Sequence, residues 1–189
     1  MVIRGERVTL RPVQRADLEA LRRWHDDGEI MRQFGGSQPL VAEGQFEEGF
    51  GPEGTFTRFE RAGEFVICDE AGRPIGQLGF FGYGPESRHA DVWLLLGEKE
   101  IWGRGYGAAA LVAFGDWFFN QKGGQRLWLS VHGDNARARR VYERVGFAHE
   151  GTWREHEFVD GRWVDEHLYG LLRQEYNARY RPELAQAPL

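Results

Sequence analysis

Residues 94–122 constrain the fold more tightly than any other stretch: L-L-L-G-E-K-E-I-W-G-R-G-Y-G-A-A-A-L-V-A-F-G-D-W-F-F-N-Q-K. An apolar run closes at Gly97, and a short charged link follows. Gly103, Gly105 and Gly107 then alternate before three alanines open an apolar helix bearing Leu111, Phe114, Trp117 and Phe118. The pattern predicts strand, glycine loop and helix start in succession. Glycines let backbone N–H groups approach a ligand and adopt dihedrals closed to other residues. The first N–H groups of a helix lack internal partners and lie at the positive end of its dipole. A phosphate or pyrophosphate is the ligand this arrangement suits.

Gly103, Gly105 and Ala108 match the loose dinucleotide fingerprint G-x-G-x-x-G/A, a weak signal alone. That fingerprint also requires a strand running directly into the glycines and an acidic residue about 20 positions on. Here several residues separate Gly97 from the loop, and residues 121–126 hold no acid. No Lys-Ser/Thr follows the last glycine, which excludes a Walker A loop.

A chain of 189 residues can bury one full core, so a single domain over 1–180 with a frayed tail at 181–189 is expected. A net charge of −5 argues against a nucleic-acid footprint. There is no 18-residue apolar run for a membrane span, and M-V-I-R-G-E-R-V lacks a signal peptide's apolar region, so a cytoplasmic location is expected. Cys68 is the one cysteine and reads as a small core residue. The histidines are scattered without H-E-x-x-H spacing, so no metal site is expected.

Taken in order, residues 7–13 alternate into an edge strand that tolerates Pro12. Leu18, Leu21 and Trp24 mark a short amphipathic helix over 16–27. Residues 28–60 are irregular, with a short helix expected at about 39–48. Strands at 64–69, 75–81 and 88–96 form an antiparallel meander, and a helix follows over 105–122. A strand over 126–132, a helix over 136–145 opened by Asp134 or Asn135 and closed by Gly146, and strands over 147–158 and 162–172 complete the chain. Asp160-Gly161 is a strong hairpin signal between the last two strands. One strand–helix–strand crossover flanked by antiparallel strands makes a mixed, mostly antiparallel α/β sheet.

A second motif, V-H-G-D-N-A-R-A-R-R-V-Y-E-R-V-G-F, places Asn135 and Tyr142 seven residues apart, on nearly one helix face. With W-G-R-G-Y-G it resembles the GCN5-related N-acetyltransferases (GNAT), in particular the branch with ribosomal-protein alanine and spermidine acetyltransferases. The resemblance spans roughly residues 65–172. It implies the GNAT acyl-CoA N-acyltransferase fold, acetyl-CoA as co-substrate, an amine acceptor (a small molecule or a protein N-terminus) and a possible homodimer. It further implies that backbone amides of Trp102, Gly103, Arg104, Gly105, Tyr106, Gly107 and Ala108 cradle the pyrophosphate. The backbone of Leu95, Leu96 and Gly97 would pair with pantetheine, Asn135 would contact that arm, and Tyr142 would protonate the departing thiolate. Trp102 stands where much of the family has Gln or Arg, so a side-chain phosphate contact is not expected there. Of the arginines crowding the second helix, Arg139 and Arg140 are the candidates for the 3′-phosphate of CoA.

Acyl transfer to an amine needs the neutral amine, yet an alkylamine of pKa about 10.4 is about one part in a thousand neutral near neutrality. A base must take the proton. Asp91 is the first candidate, at the position where the resemblance places a strand glutamate base; His89 and His132 are weaker. The acidic run with Glu43, Glu47 and Glu48 offers attraction to a cationic amine or simply a solvated face. Two other readings compete: a CoA-binding sensor without catalysis, and a dinucleotide-binding oxidoreductase. Asn135 and Tyr142 together argue against the first, and the missing acid argues against the second.

Overall fold

The computed structural model describes residues 1–34 and 61–185. The helix expected at about 39–48 lies outside the described residues. Strands β1 (Ile3–Arg4), β2 (Thr9–Pro12), β3 (Gly63–Cys68), β4 (Pro74–Phe81), β5 (His89–Leu96), β6 (Arg126–His132), β7 (Ala148–Val159) and β8 (Arg162–Leu172) form one sheet in the order β1-β2-β3-β4-β5-β6-β8-β7. Every neighbouring pair is antiparallel except β5 and β6. Helices α1 (Leu18–Asp26), α2 (Gly28–Phe34), α3 (Tyr106–Asp116), α4 (Ala136–Val145) and α5 (Arg173–Tyr180) cover it.

Period-two burial sorts the side chains to two faces. Phe65, Phe80, Val92, Leu127, Leu129 and Tyr169 pack with α3 and α4 residues such as Phe114 and Val145. Val66, Cys68 and Leu95 pack on the other face with Leu21, Trp24, Ile30 and Met31 of α1 and α2. Each fully buried Phe or Leu contributes roughly 1.5–3 kcal/mol. Phe114 alone meets the rings of Phe65, Phe80, Trp117 and Phe118 within 6.1 Å.

Several local expectations change. The strand expected at an edge is covered by β1, but β1 pairs only with Thr9 and Leu10, so no ladder bond is asked of Pro12 on that side. Residues after Asp27 form α2 rather than a loop, because the Asp27 carboxylate accepts from the N–H groups of Glu29 and Ile30. The long helix leaves α geometry after Asp116: a π turn over Trp117–Gln121, closed by Lys122 N–H to the Trp117 carbonyl at 2.8 Å, buries Trp117, Phe118 and Phe119 in succession. The chain past β8 forms α5, pinned by the Tyr176 hydroxyl donating to the Val112 carbonyl at 2.8 Å. At the hairpin, Asp160 (φ 49°) and Gly161 (φ 81°) are both left-handed, as a type I′ turn requires.

Candidate acyl-transfer cleft

Parallel pairing between β5 and β6 covers only His89–Arg126, Ala90–Leu127 and Asp91–Trp128. Beyond Asp91, β5 continues with β4 to Leu96, while β6 continues with β8 to His132. The strands part, and the gap between them is a cleft of about 860 Å³. A broken parallel ladder leaves strand backbone without its neighbour, so the gap accepts an extended ligand as a further strand.

The ladder decides which residues face the gap. Gly97 N–H donates to the Ile75 carbonyl at 2.9 Å, so odd-numbered residues of β5 turn their backbone toward β4 and even-numbered ones toward β6. Leu94 and Leu96 thus present backbone to the cleft. Leu95 and Gly97, expected to pair with pantetheine, have their backbone turned to β4 instead. Leu95 buries its side chain at 3% exposure. Gly97 is glycine for packing: a Cβ there would lie 2.1 Å from the Trp24 ring. The Leu96 carbonyl accepts from Trp102 Nε1 at 2.9 Å.

The glycine loop is likewise narrower as an amide cradle than expected. Trp102 N–H donates to the Lys99 carbonyl and Arg104 N–H to the Ile101 carbonyl, each at 3.1 Å, so both are spent within the loop. Gly103 (φ 77°) and Gly105 (φ 89°) are left-handed, and Gly105 caps α3. A Cβ on Gly103 would meet nothing within 4 Å, so the cradle has room for an anion. Gly103, Gly105, Gly107 and Ala108 line the cleft. With Tyr106, whose side chain turns out to Glu70 and under Arg7, they supply the first-turn amides. Gly107 serves packing, since a Cβ there would come within 3.1 Å of Leu94.

Helix α4 walls the other side. Arg137, Arg140 and Arg144 line the cleft, and Arg137 stacks 3.9 Å above the Trp102 ring. Arg139 lies elsewhere: its guanidinium donates to the Gly133 carbonyl at 3.1 Å and the Tyr169 hydroxyl at 3.4 Å. Of the two arginines expected at the 3′-phosphate, only Arg140 borders the cleft. Asn135 borders it with both ends of its amide engaged. Its Oδ1 accepts from Ala138 N–H at 3.0 Å, and its Nδ2 donates to the Gln33 carbonyl at 2.8 Å. This bond fastens α2 over the cleft, and Arg32 joins α2 to Asp160 of the hairpin at 3.0 Å.

Asp91 and Tyr142 enter from opposite faces of the sheet. Asp91 lies at the fork of the strands, with Trp93, Phe34 and Glu166 also lining the cleft. No hydrogen bond among the described residues holds its carboxylate. Burial, then the charge of Glu166, pushes Asp91 up to about 7. Tyr142 is 8% exposed and packs against Phe147 and Tyr169. Burial, then the charge of Asp91, raises its phenol to about 12, so it remains a proton donor at any working pH. His89 is exposed outside the cleft, whereas His132 borders it and bonds Glu157 at 3.1 Å. Sequence reasoning missed Glu166 and Ser130: Glu166 reaches the cleft because β8 inserts between β6 and β7, and the Ser130 hydroxyl of β6 donates to it at 3.0 Å.

Residues 7–148 match the family model described as Acetyltransferase (GNAT) domain. The chain is 26% identical over 177 residues to the uncharacterized N-acetyltransferase p20 of Bacillus licheniformis, covering 90% of this chain and 96% of that one. It is 25% identical over 172 residues to the spermidine N(1)-acetyltransferase of Vibrio cholerae, covering 91% and 96%. The crystal structure of the spermidine N-acetyltransferase from Vibrio cholerae in complex with CoA and spermine superposes with a TM-score of 0.80 at 23% identity, over 89% of this chain and 97% of that one. The forked sheet, the glycine loop and a family match covering most of the chain agree: this chain belongs to the GNAT family and is an acetyl-CoA-dependent N-acetyltransferase.

Proposed function

We propose that the acceptor is a small cationic primary amine and that Asp91 and Tyr142 carry the proton transfers of a direct attack in a ternary complex. The observation that carries this reading is the position and state of Asp91: at the fork, with no hydrogen bond to its carboxylate among the described residues, and lifted to about 7 by burial and Glu166. A base works best with a pKa near the operating pH. Asp91 accepts one proton of the ammonium, the amine nitrogen attacks the thioester carbonyl, and the C–S bond breaks as Tyr142 donates its proton to the departing sulfur; the second surplus proton of the nitrogen restores the Tyr142 phenol, and Asp91 releases its proton to solvent. The products are the N-acetylated amine and CoA thiol. The amides of Gly103 and of residues 105–108 suit the pyrophosphate, and Arg137, Arg140 and Arg144 suit the 3′-phosphate.

A cationic acceptor is supported by the wall it would meet. Asp91 and Glu166 supply negative charge, and Phe34 and Trp93, in edge contact at 5.4 Å, supply aromatic surface. Relatives named as spermidine acetyltransferases point the same way. The test is thiol release from acetyl-CoA with spermidine, an uncharged-tail monoamine, and peptides beginning with Ala or Ser. Preference for spermidine in kcat/KM is expected; preference for the peptides would overturn the acceptor assignment.

A further inference from the structure

Beside the cleft, donor atoms from three strands converge. His132 ends β6 and stands in register with Glu166 of β8. Strand β7 pairs Trp153 with Glu166, and then its ladder resumes two residues late, at Glu157 against Val164. The bulge brings Glu157 to His132, with Nε2 to Oε2 at 3.1 Å, and His156 to Glu166, with Nε2 to Oε2 at 3.6 Å. The ligand atoms of His132, Glu157 and Glu166 all lie within 4.8 Å of one another. In a tetrahedral site with bonds of about 2.0–2.1 Å, donor atoms stand about 3.3 Å apart, close to the 3.1 Å between His132 and Glu157.

Two further features separate this group from a chance cluster of acids. Ser130 donates to Oε1 of Glu166, orienting the carboxylate and leaving Oε2 toward His156, the outer-shell support that ligating carboxylates receive. His132 is 6% exposed while Glu157 is 36% exposed, so the group joins a buried imidazole to a carboxylate that reaches solvent. Imidazole with carboxylate suits zinc-class ions, whereas magnesium and calcium prefer all-oxygen shells.

We propose that His132, Glu157 and Glu166, with solvent at the fourth position, bind a divalent transition metal of the zinc class. The ion engages Glu166, which borders the acyl cleft, so filling the site slows transfer. Binding itself is independent of the roles proposed for Asp91 and Tyr142.

Cobalt(II) titration of the untagged full chain, followed by its d–d absorption, tests this. The expected result is one tetrahedral cobalt per chain, displaced by zinc and not by magnesium. Glu157→Gln and Glu166→Gln should each weaken binding about tenfold or more, by analogy with the loss seen when metal-site partners are removed. His149→Gln, altering the separate His149–His167 pair, should leave binding unchanged. Melting curves check that each variant folds, and Glu166→Gln carries the test if Glu157→Gln does not fold. Absence of tetrahedral absorption at stoichiometric cobalt, unchanged affinity in a folded site variant, or loss in His149→Gln would overturn the proposal.

Discussion

Asp91 keeps its proton in the folded chain over a range where the unfolded chain has lost it, because burial and Glu166 lift it from 3.8 to about 7. The unfolded state therefore binds fewer protons between about pH 4 and pH 7, and this group's effect on stability worsens as pH rises through that window. Above pH 7 the cost is constant; below pH 4 it vanishes. Asp91→Asn should melt higher than the parent at about pH 8 and level with it at about pH 4. Its activity should move the other way. Turnover should fall more at about pH 7 than at about pH 9.5, where free amine is commoner. An equal loss at both would assign Asp91 to positioning alone. Tyr142→Phe keeps the ring contacts with Phe147 and Tyr169 and removes the donor. It should fold, bind acetyl-CoA as the parent does, and lose about 10²–10⁴ in turnover measured by thiol release. Unfolding would make Tyr142 a core residue, and unchanged turnover would give the acid role to another group.

At the scale of elements, strand, glycine loop and helix are legible in the sequence because their determinants are local: positive φ at Gly103 and Gly105, and an apolar helix behind them. Gly105→Val should weaken acetyl-CoA binding at least about tenfold by calorimetry, through strain at φ 89° and bulk beside the cradle. Gly72→Ala, at φ 82° in the β3–β4 turn with open space around it, carries similar strain away from the cleft and should cost stability without changing that affinity. The roles of single backbone groups were not legible. Whether Leu95 or Leu96 faces the gap depends on the β4 register, and whether Arg104 N–H is free depends on the turn at Ile101. Gly97 is a related case. Its place reads as part of the ligand strand, yet Trp24 lies against it, so Gly97→Ala should lower stability by about 1–3 kcal/mol in denaturant titration.

At the scale of the molecule, the two faces of the sheet divide the work. The α3–α4 face brings the loop amides, the arginines and Tyr142; the α1–α2 face brings Asp91, Ser130 and Glu166. The fold class was legible because the crossover and its flanking strands follow one another in the chain. The strand order was less so: β8 lies inside β7, and that non-sequential placement, with the β7 bulge, sets His132, Glu157 and Glu166 together. The gap between β5 and β6 as the seat of the thioester is the centre of the account. A crystal structure of the chain with a non-reactive thioether analogue of acetyl-CoA tests it most directly. The account predicts sulfur within about 3–3.5 Å of the Tyr142 hydroxyl, the acyl group facing Asp91, and pyrophosphate on the amides of Gly103 and of residues 105–108. An analogue lying outside the gap, or a Tyr142 hydroxyl turned away from the sulfur, would contradict it.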